Sequence, residues 1–267
     1  MKIIDPYIEF VNDEDLIVKL RKAYAVCYKN ESQINWNRAL GWILSKISIG
    51  HTSPCEHIRI QVPQKEYNQL VSRHSANSKF VPYGYASRIR THLYAKEPRT
   101  DMNVRDWLAI GGDLDTLAQH KQSTDYCTVK IVCDRGISHE IVRHRSMSFT
   151  QESTRYCNYK NKMEFINLYT VFNCKSFKRV LASVFWVAGL WFCNLCYKIM
   201  IRLGSNPQEA RAILPHSIKT EIWVTGTFDE WREFIRLRKA SSAHPQMREI
   251  VRLIQQHKDC PVKMRNF

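Results

Sequence analysis

The run VLASVFWVAGLWFCNLCY, Val180 to Tyr197, constrains the fold of this chain more than any other stretch, because it carries no charge over 18 residues. A helix of that composition has to leave water, into a protein core or into a lipid bilayer. Lys178 and Arg179 precede it and Lys198 follows it, which would suit the edges of a membrane span. Against a span, Ser183, Gly189 and Asn194 dilute the run, its length is at the short limit for crossing hydrocarbon, and KIMIRLG (Lys198 to Gly204) continues the helix into water. The expectation is a buried central helix and no membrane partner.

The flanking sequence carries both helix and strand signals. DEDLIVKLRKAY and NWNRALGWILSKI have helical apolar spacing, the second stopping near Gly50, and HTSPCEH reads as a turn made rigid by Pro54. HIRIQV and YCTVKIVC (Tyr126 to Cys133) alternate apolar and polar residues, which predicts two strands of one sheet, and KTEIWVTGT predicts a further strand. Residues 63–125 are richer in Pro, Gly, Ser and Asn and read as an insertion with a helical patch at VRDWLAI. Ser138 is placed to cap a short helix HEIVRHR, and SNPQEARAILP is bounded by Asn206 with Pro207 and by Pro215. Thr227 and Glu230 have the spacing of a capping box for FDEWREFIRLRK. The apolar face of that helix is Phe228, Trp231, Phe234 and Ile235, and Arg238 is next on the stripe. An inward arginine needs an anion, a carbonyl or a polar cavity, whereas one at a helix end can snorkel to water; spacing leaves both open. The expected architecture is α+β, a single domain over residues 1–267 with a central mixed or antiparallel sheet flanked by helices.

Forty Lys and Arg against 25 Asp and Glu give a formal charge of +15, which points to phosphate-bearing partners: nucleotides, nucleic acid or an anionic surface. The nine cysteines are an odd number without framework spacing, and the start MKIIDPYIEF lacks a signal core, so a reducing cytoplasm is expected. Cys193 and Cys196 form a CxxC with no second pair at zinc spacing, and no metal is expected. There is no GxxxxGK[ST] loop and no GxGxxG after a strand, so a nucleotide here has to be held by side chains. Three arginine-bearing elements could converge on phosphates and a polar ring: RHRSMSFTQESTRY (Arg143 to Tyr156), Arg211 and Arg238. For Arg211 alone the plain reading is a solvated helix residue. Tyr83, Tyr85 and Tyr94, interleaved with Arg88, Arg90 and His92, keep a nucleic-acid-binding protein as the alternative, although no RRM, KH, zinc-finger or helix-turn-helix signature supports it.

RHRSMSFTQESTRY resembles the signature of flavin-dependent thymidylate synthases, in which RHR is followed after seven residues by a serine and then by Arg-Tyr, here Arg143, His144, Arg145, Ser153, Arg155 and Tyr156. GHTSPCEH (Gly50 to His57), EARAILP (Glu209 to Pro215) and WREFIRLR (Trp231 to Arg238) are similar to further stretches of that family, in the same order. The resemblance implies that family's fold and an NADPH-oxidising methyltransferase that makes dTMP from dUMP. It implies methylenetetrahydrofolate as carbon donor, FAD as redox mediator, and a homotetramer with active sites between subunits. It assigns FAD contacts to Ser53, Arg143, His144, Arg145, Ser146, Gln151, Thr227 and Glu233. It assigns dUMP contacts to Glu140, Gln151, Glu152, Ser153, Thr154, Arg155, Arg211 and Arg238, with Arg155 and Arg211 toward the phosphate and Arg238 toward the uracil carbonyl edge. Arg238, Ser153 and His51 are the implied catalytic group, His51 near flavin and folate, with Ser153 read as a positioning hydroxyl. The chain departs from the family pattern at Glu140, Thr150, Gln151, Thr227 and Glu233, and in the step of 92 positions from His51 to Arg143.

Overall fold

The computed structural model describes residues 1–12, 15–29, 35–75, 89–168 and 176–265. The N-terminal part runs β1 (Lys2–Ile4), β2 (Tyr7–Phe10), α1 (Leu16–Tyr28), α2 (Ala39–Ser48), β3 (Arg59–Pro63), α3 (Gln64–Ser75), β4 (Arg90–His92), β5 (Arg99–Asn103), α4 (Val104–Ala109) and β6 (Lys121–Gln122). It continues through β7 (Tyr126–Asp134), α5 (Arg135–Ile141), β8 (Ser148–Gln151), β9 (Glu164–Ile166) and α6 (Phe177–Arg202). The chain then forms α7 (Pro207–Ala210), β10 (Lys219–Thr227), α8 (Phe228–Lys239), α9 (Pro245–Gln256) and α10 (Val262–Arg265). Tyr83, Tyr85 and Arg88 lie outside the described residues.

Among the described residues the fold is mixed α and β with two antiparallel four-stranded sheets, ordered β2-β7-β10-β8 and β4-β5-β3-β6, and a parallel pair of β1 with β9. The β7/β10 ladder is the spine, in register from Lys219 opposite Asp134 to Thr227 opposite Tyr126. One face of it, through Val129, Ile131, Ile222 and Val224, buries Trp231, Phe234 and Ile235 of α8 and Ile250 of α9. Each such fully buried side chain stabilises the fold by roughly 1.5–3 kcal/mol in transfer free energy. A second core under β3 and β5 collects Leu20, Tyr24, Ile43, Ile60, Met102 and Trp107.

Three expectations need correction. HIRIQV and YCTVKIVC do form strands, but in different sheets: β3 pairs with β5 and β6 from residues 63–125, while β7 pairs with β2 and β10. Alternation fixes which face of a strand is buried and says nothing about its partner. The helix before RHR is capped by Asp134, whose carboxylate accepts the Ile137 N–H at 2.8 Å. Ser138 lies inside that helix and donates to the Arg135 carbonyl at 3.0 Å.

Helix α6 is not the buried central helix expected. Only Leu190, Asn194 and Tyr197 are buried along it, facing Tyr159 and Phe165, whereas Phe177, Phe185 and Trp191 are 80%, 71% and 57% exposed. The sheet cores are filled by α8, α9 and the β3 layer, and among the described residues α6 meets one seam, along its C-terminal half. By length and composition the helix could cross a membrane.

The turn at Ser53–His57 is tied to β10 by His57, whose Nδ1 lies 2.7 Å from Thr225 Oγ1. Its ring meets Trp223 edge-on, with centroids 5.9 Å apart. Complete burial, with Lys19 nearby, pushes the His57 pKa down from 6.5 to about 3. Between those values the unfolded chain binds a proton that the folded chain refuses, so stability rises with pH and the contribution is complete above 6.5. Urea unfolding at pH 5 is expected to give a stability lower than at pH 7 by on the order of 2 kcal/mol from this residue, a slope that His57→Gln should lose. An unfolding midpoint that does not move with pH would show that His57 protonates freely in the folded state.

Candidate functional site

Gly50 closes α2 in the left-handed region (φ 83°), a conformation glycine adopts without penalty, and delivers His51 onto α1. Tyr24 Oη donates to the His51 carbonyl at 2.6 Å, and Tyr28 Oη lies 3.0 Å from His51 Nδ1. Burial, followed by Lys46, lowers the His51 pKa below its ordinary value, so a neutral imidazole is presented. The same end of α1 receives the RHRSMSFTQESTRY segment: the Ser153 N–H donates to the Cys27 carbonyl at 3.2 Å, and the Tyr156 ring lies 5.5 Å from that of Tyr28. Arg211 Nη1 donates to Thr154 Oγ1 at 3.4 Å, which joins the EARAILP element to this group. The structure therefore gathers His51, Ser153, Thr154, Arg155 and Arg211 around Tyr28 and Tyr156. Beside them is a cavity of about 380 Å³ lined by Tyr28, Lys29, Tyr156 and Lys160. Tyr28 and Lys29 escaped sequence reasoning because an aromatic and a lysine at the end of an amphipathic helix carry no motif.

Ser153 is not poised as a nucleophile. Among the described residues its Oγ meets one partner, the Arg155 N–H at 3.3 Å, and no base. The neighbouring thiols are also quiet, since burial pushes Cys27 up to about 11 and Cys157 up to about 12. On the synthase activity that the resemblance implies, Ser153→Ala should lower turnover by about tenfold to a hundredfold while leaving product measurable, as expected when one hydrogen bond to a ligand is lost. Complete loss of product with normal flavin and nucleotide binding would make Ser153 part of the chemistry.

A second group forms where α5 meets α8. Arg238 is on the buried stripe after Trp231, Phe234 and Ile235, as its spacing allowed, and it meets three acceptors: His144 Nε2 at 2.8 Å from Nε, Glu140 Oε2 at 3.2 Å from Nη1, and the Glu140 carbonyl at 2.9 Å from Nη2. The inward arginine has thus found an anion and a carbonyl together. Gln151 reaches the same helix, donating to Ser138 Oγ at 2.7 Å and to Thr220 Oγ1 at 3.0 Å.

The residues expected at FAD divide. Arg143 and Arg145 leave the end of α5 exposed, and among the described residues their side chains have no partner. Together with Ser146 they offer donors that fit a pyrophosphate. Ser53 is half-buried at the His51 turn. Thr227 does not fit: it is 4% exposed and its hydroxyl accepts the Glu230 N–H in a capping box that the Glu230 carboxylate completes at 2.7 Å. Glu233 is exposed and paired with Arg236 at 2.7 Å. Glu152 also departs from its expected place at dUMP, because its carboxylate is buried against Lys29 (3.3 Å), Lys219 (3.6 Å) and Tyr159 Oη (2.6 Å). A buried carboxylate with those partners is a structural ion pair.

The family profile described as thymidylate synthase complementing protein matches residues 118–262. Among curated proteins, a Corynebacterium glutamicum protein named flavin-dependent thymidylate synthase is 29% identical over 170 residues, which is 57% of this chain and 64% of that protein. Its namesake from Mycobacterium tuberculosis strain H37Rv is 28% identical over 126 residues, 43% of this chain and 50% of that protein. A Mycobacterium avium protein of the same name is 27% identical over 126 residues. The chain spans about half to two thirds of the length of these relatives. The matched profile covers β7 through α9 and with them the signature segment, Arg211 and Arg238; the chain belongs to the thymidylate synthase complementing protein family, whose curated members here are named flavin-dependent thymidylate synthase.

Proposed function

We propose that this protein converts dUMP to dTMP, with methylenetetrahydrofolate as carbon donor, FAD as bound cofactor and NADPH as reductant. The observation that carries the reading is the convergence of three separated segments, the His51 turn, the Ser153–Tyr156 strap and Arg211 at Thr154, beside a second group in which Arg238 is held on Glu140. Arg155 and Arg211 supply two guanidinium forks on one surface for a nucleotide phosphate. Arg238 is directed at the carbonyl edge of the uracil, where it stabilises negative charge developing on the ring. His51, held neutral by burial beside Tyr28, serves as a wall and hydrogen-bonding group for planar ligands beside the Tyr28–Tyr156 pair. Arg143, Arg145 and Ser146 would hold the FAD pyrophosphate, and the flavin, when bound, supplies the redox chemistry.

Purified protein given dUMP, methylenetetrahydrofolate and NADPH under low oxygen should form dTMP and tetrahydrofolate, and should lose that activity when stripped of FAD. No dTMP from a folded, flavin-loaded protein would reject the reading.

The working form is a homotetramer with sites between subunits. Two features support assembly with copies of itself. Arg143, Arg145, Arg155 and Arg211 are all exposed, so a ligand they hold is covered from one side, and the outer face of α6 leaves Phe185, Phe192 and Trp191 in water. A second copy closes both. Native mass spectrometry is expected to show four chains, and Phe185→Glu with Phe192→Glu to yield smaller species. A wild-type monomer that sediments with anionic vesicles would assign the face to lipid instead.

A further inference from the structure

We propose that His144 is a positioning residue for Arg238: its neutral imidazole, with the carboxylate and carbonyl of Glu140, fixes the guanidinium in one orientation for the carbonyl edge of a pyrimidine. This rests on the nucleotide reading above. A guanidinium has five N–H donors and no acceptor, so the 2.8 Å contact from Arg238 Nε requires a lone pair on His144 Nε2 and places the ring proton on Nδ1. With two more donors spent on Glu140 at 3.2 and 2.9 Å, one N–H is left on each terminal nitrogen. Three acceptors on a planar group remove its rotational freedom, so those two donors have a set direction before any ligand arrives.

The surroundings keep His144 in the accepting form. Its ring packs on Phe234, with centroids 4.7 Å apart. Among the described residues the charged groups acting on it are Arg238 and Glu233 from α8, with Glu140 of α5 bound to the same guanidinium. Burial, then Arg238, drives its pKa down to about 4, with Glu233 opposing. A protonated ring would set donor against donor and release Nε. The clamp uses Nε2 alone, which leaves Nδ1–H for a cofactor, so positioning of Arg238 and contact with FAD are separable roles of one residue.

The test uses full-length, flavin-loaded protein with ¹⁵N-labelled arginine, the Arg238 Nε–H resonance being the one missing from Arg238→Lys. Wild type and His144→Gln, whose amide oxygen can accept the same bond, should both show a slowly exchanging Nε–H; His144→Leu should lose it. In parallel, the Leu variant should lose about a hundredfold in kcat for dTMP, the scale of one misplaced electrostatic donor. The Gln variant should retain turnover within about tenfold because the acceptor is kept. The KM for dUMP should change less than kcat, with kcat expressed per bound flavin because leucine also removes the Nδ1–H. A protected Nε–H or unchanged kcat in His144→Leu would overturn the proposal, as would loss of flavin with kcat per bound flavin unchanged. Should the Leu variant not fold, His144→Ala serves as the acceptor-free form. A wild type that makes no dTMP would reject the synthase reading, and the Nε–H resonance alone would then decide whether the clamp exists.

Discussion

On the proposed synthase reading, Arg238→Lys is expected to fold, keep its flavin and lose dTMP formation by about 10²–10³-fold, equivalent to about 2.7–4 kcal/mol, the cost of removing one preorganised donor at developing charge. Lysine keeps the positive charge but replaces a planar fork with a single rotating ammonium. It cannot satisfy His144 Nε2, Glu140 Oε2 and the Glu140 carbonyl together, a set that Arg238 meets at 2.8, 3.2 and 2.9 Å. The ammonium would settle on the Glu140 carboxylate, its one anionic partner there, and be withdrawn from the ligand. Folding should survive because the α8 core contacts of Trp231, Phe234 and Ile235 do not involve this side chain. The measurement is kcat at saturating dUMP and folate, beside flavin absorbance and nucleotide affinity. Near-normal kcat would remove Arg238 from the chemistry.

The place of Arg238 was partly legible in the linear sequence. A position on an apolar helical stripe is a geometric fact of spacing, so Arg238 was marked as unusual; whether it turned inward depended on Glu140 and His144, 98 and 94 residues away. The Asn206 cap and the capping box of Thr227 with Glu230 were legible because every atom involved is local. The cap of α5 was misread by one helical turn, since Asp134 and Ser138 are both competent caps. The sheet partner of β3 was illegible for the opposite reason, because pairing is decided by chain segments far from the strand. Tyr28 shares that fate: its role comes from meeting His51 and Tyr156. For α6, composition demanded removal from water without naming the cover, and a buried place in its own domain was the wrong choice among those open. Glu152 was drawn into the nucleotide site by its neighbours in the motif, whereas strand alternation after β8 turns its side chain inward.

Lys219→Met is expected to cost about 3–5 kcal/mol of folding stability, because it removes the buried partner of a buried carboxylate. Lys219 is 4% exposed and contacts Glu152 at 3.6 Å and Glu221 at hydrogen-bonding range, while the side chain of Glu152 is 1% exposed. Burial alone would pull the Lys219 ammonium down; Glu152 and Glu221 outweigh it and hold the pKa above the usual 10.5. Burial likewise opposes ionisation of Glu221, and Lys219 with Lys130 overcomes it, leaving its pKa below 4.5. The sign of each linkage is definite: the lysine contribution is complete below 10.5 and lost as pH rises past the folded value, and the Glu221 contribution is complete above 4.5 and lost as pH falls past the folded value. Both are therefore fully present at pH 7. Without Lys219, Glu152 keeps one cation, Lys29, whose side chain is 32% exposed, and the Tyr159 hydroxyl at 2.6 Å, too little to replace lost hydration. The double variant Glu152→Gln, Lys219→Met should recover part of the loss, since the glutamine amide carries no charge and its oxygen still accepts from Tyr159. A loss below about 1 kcal/mol in the single variant would mean that water screens the pair as it does on a surface. The network also fixes the exit of the chain from β8, where Glu152 N–H donates to the Glu221 carbonyl at 2.8 Å. Ser153, Thr154 and Arg155 follow immediately, so loosening it should lower nucleotide affinity as well as the unfolding midpoint, and the two effects should be rescued together by the double variant.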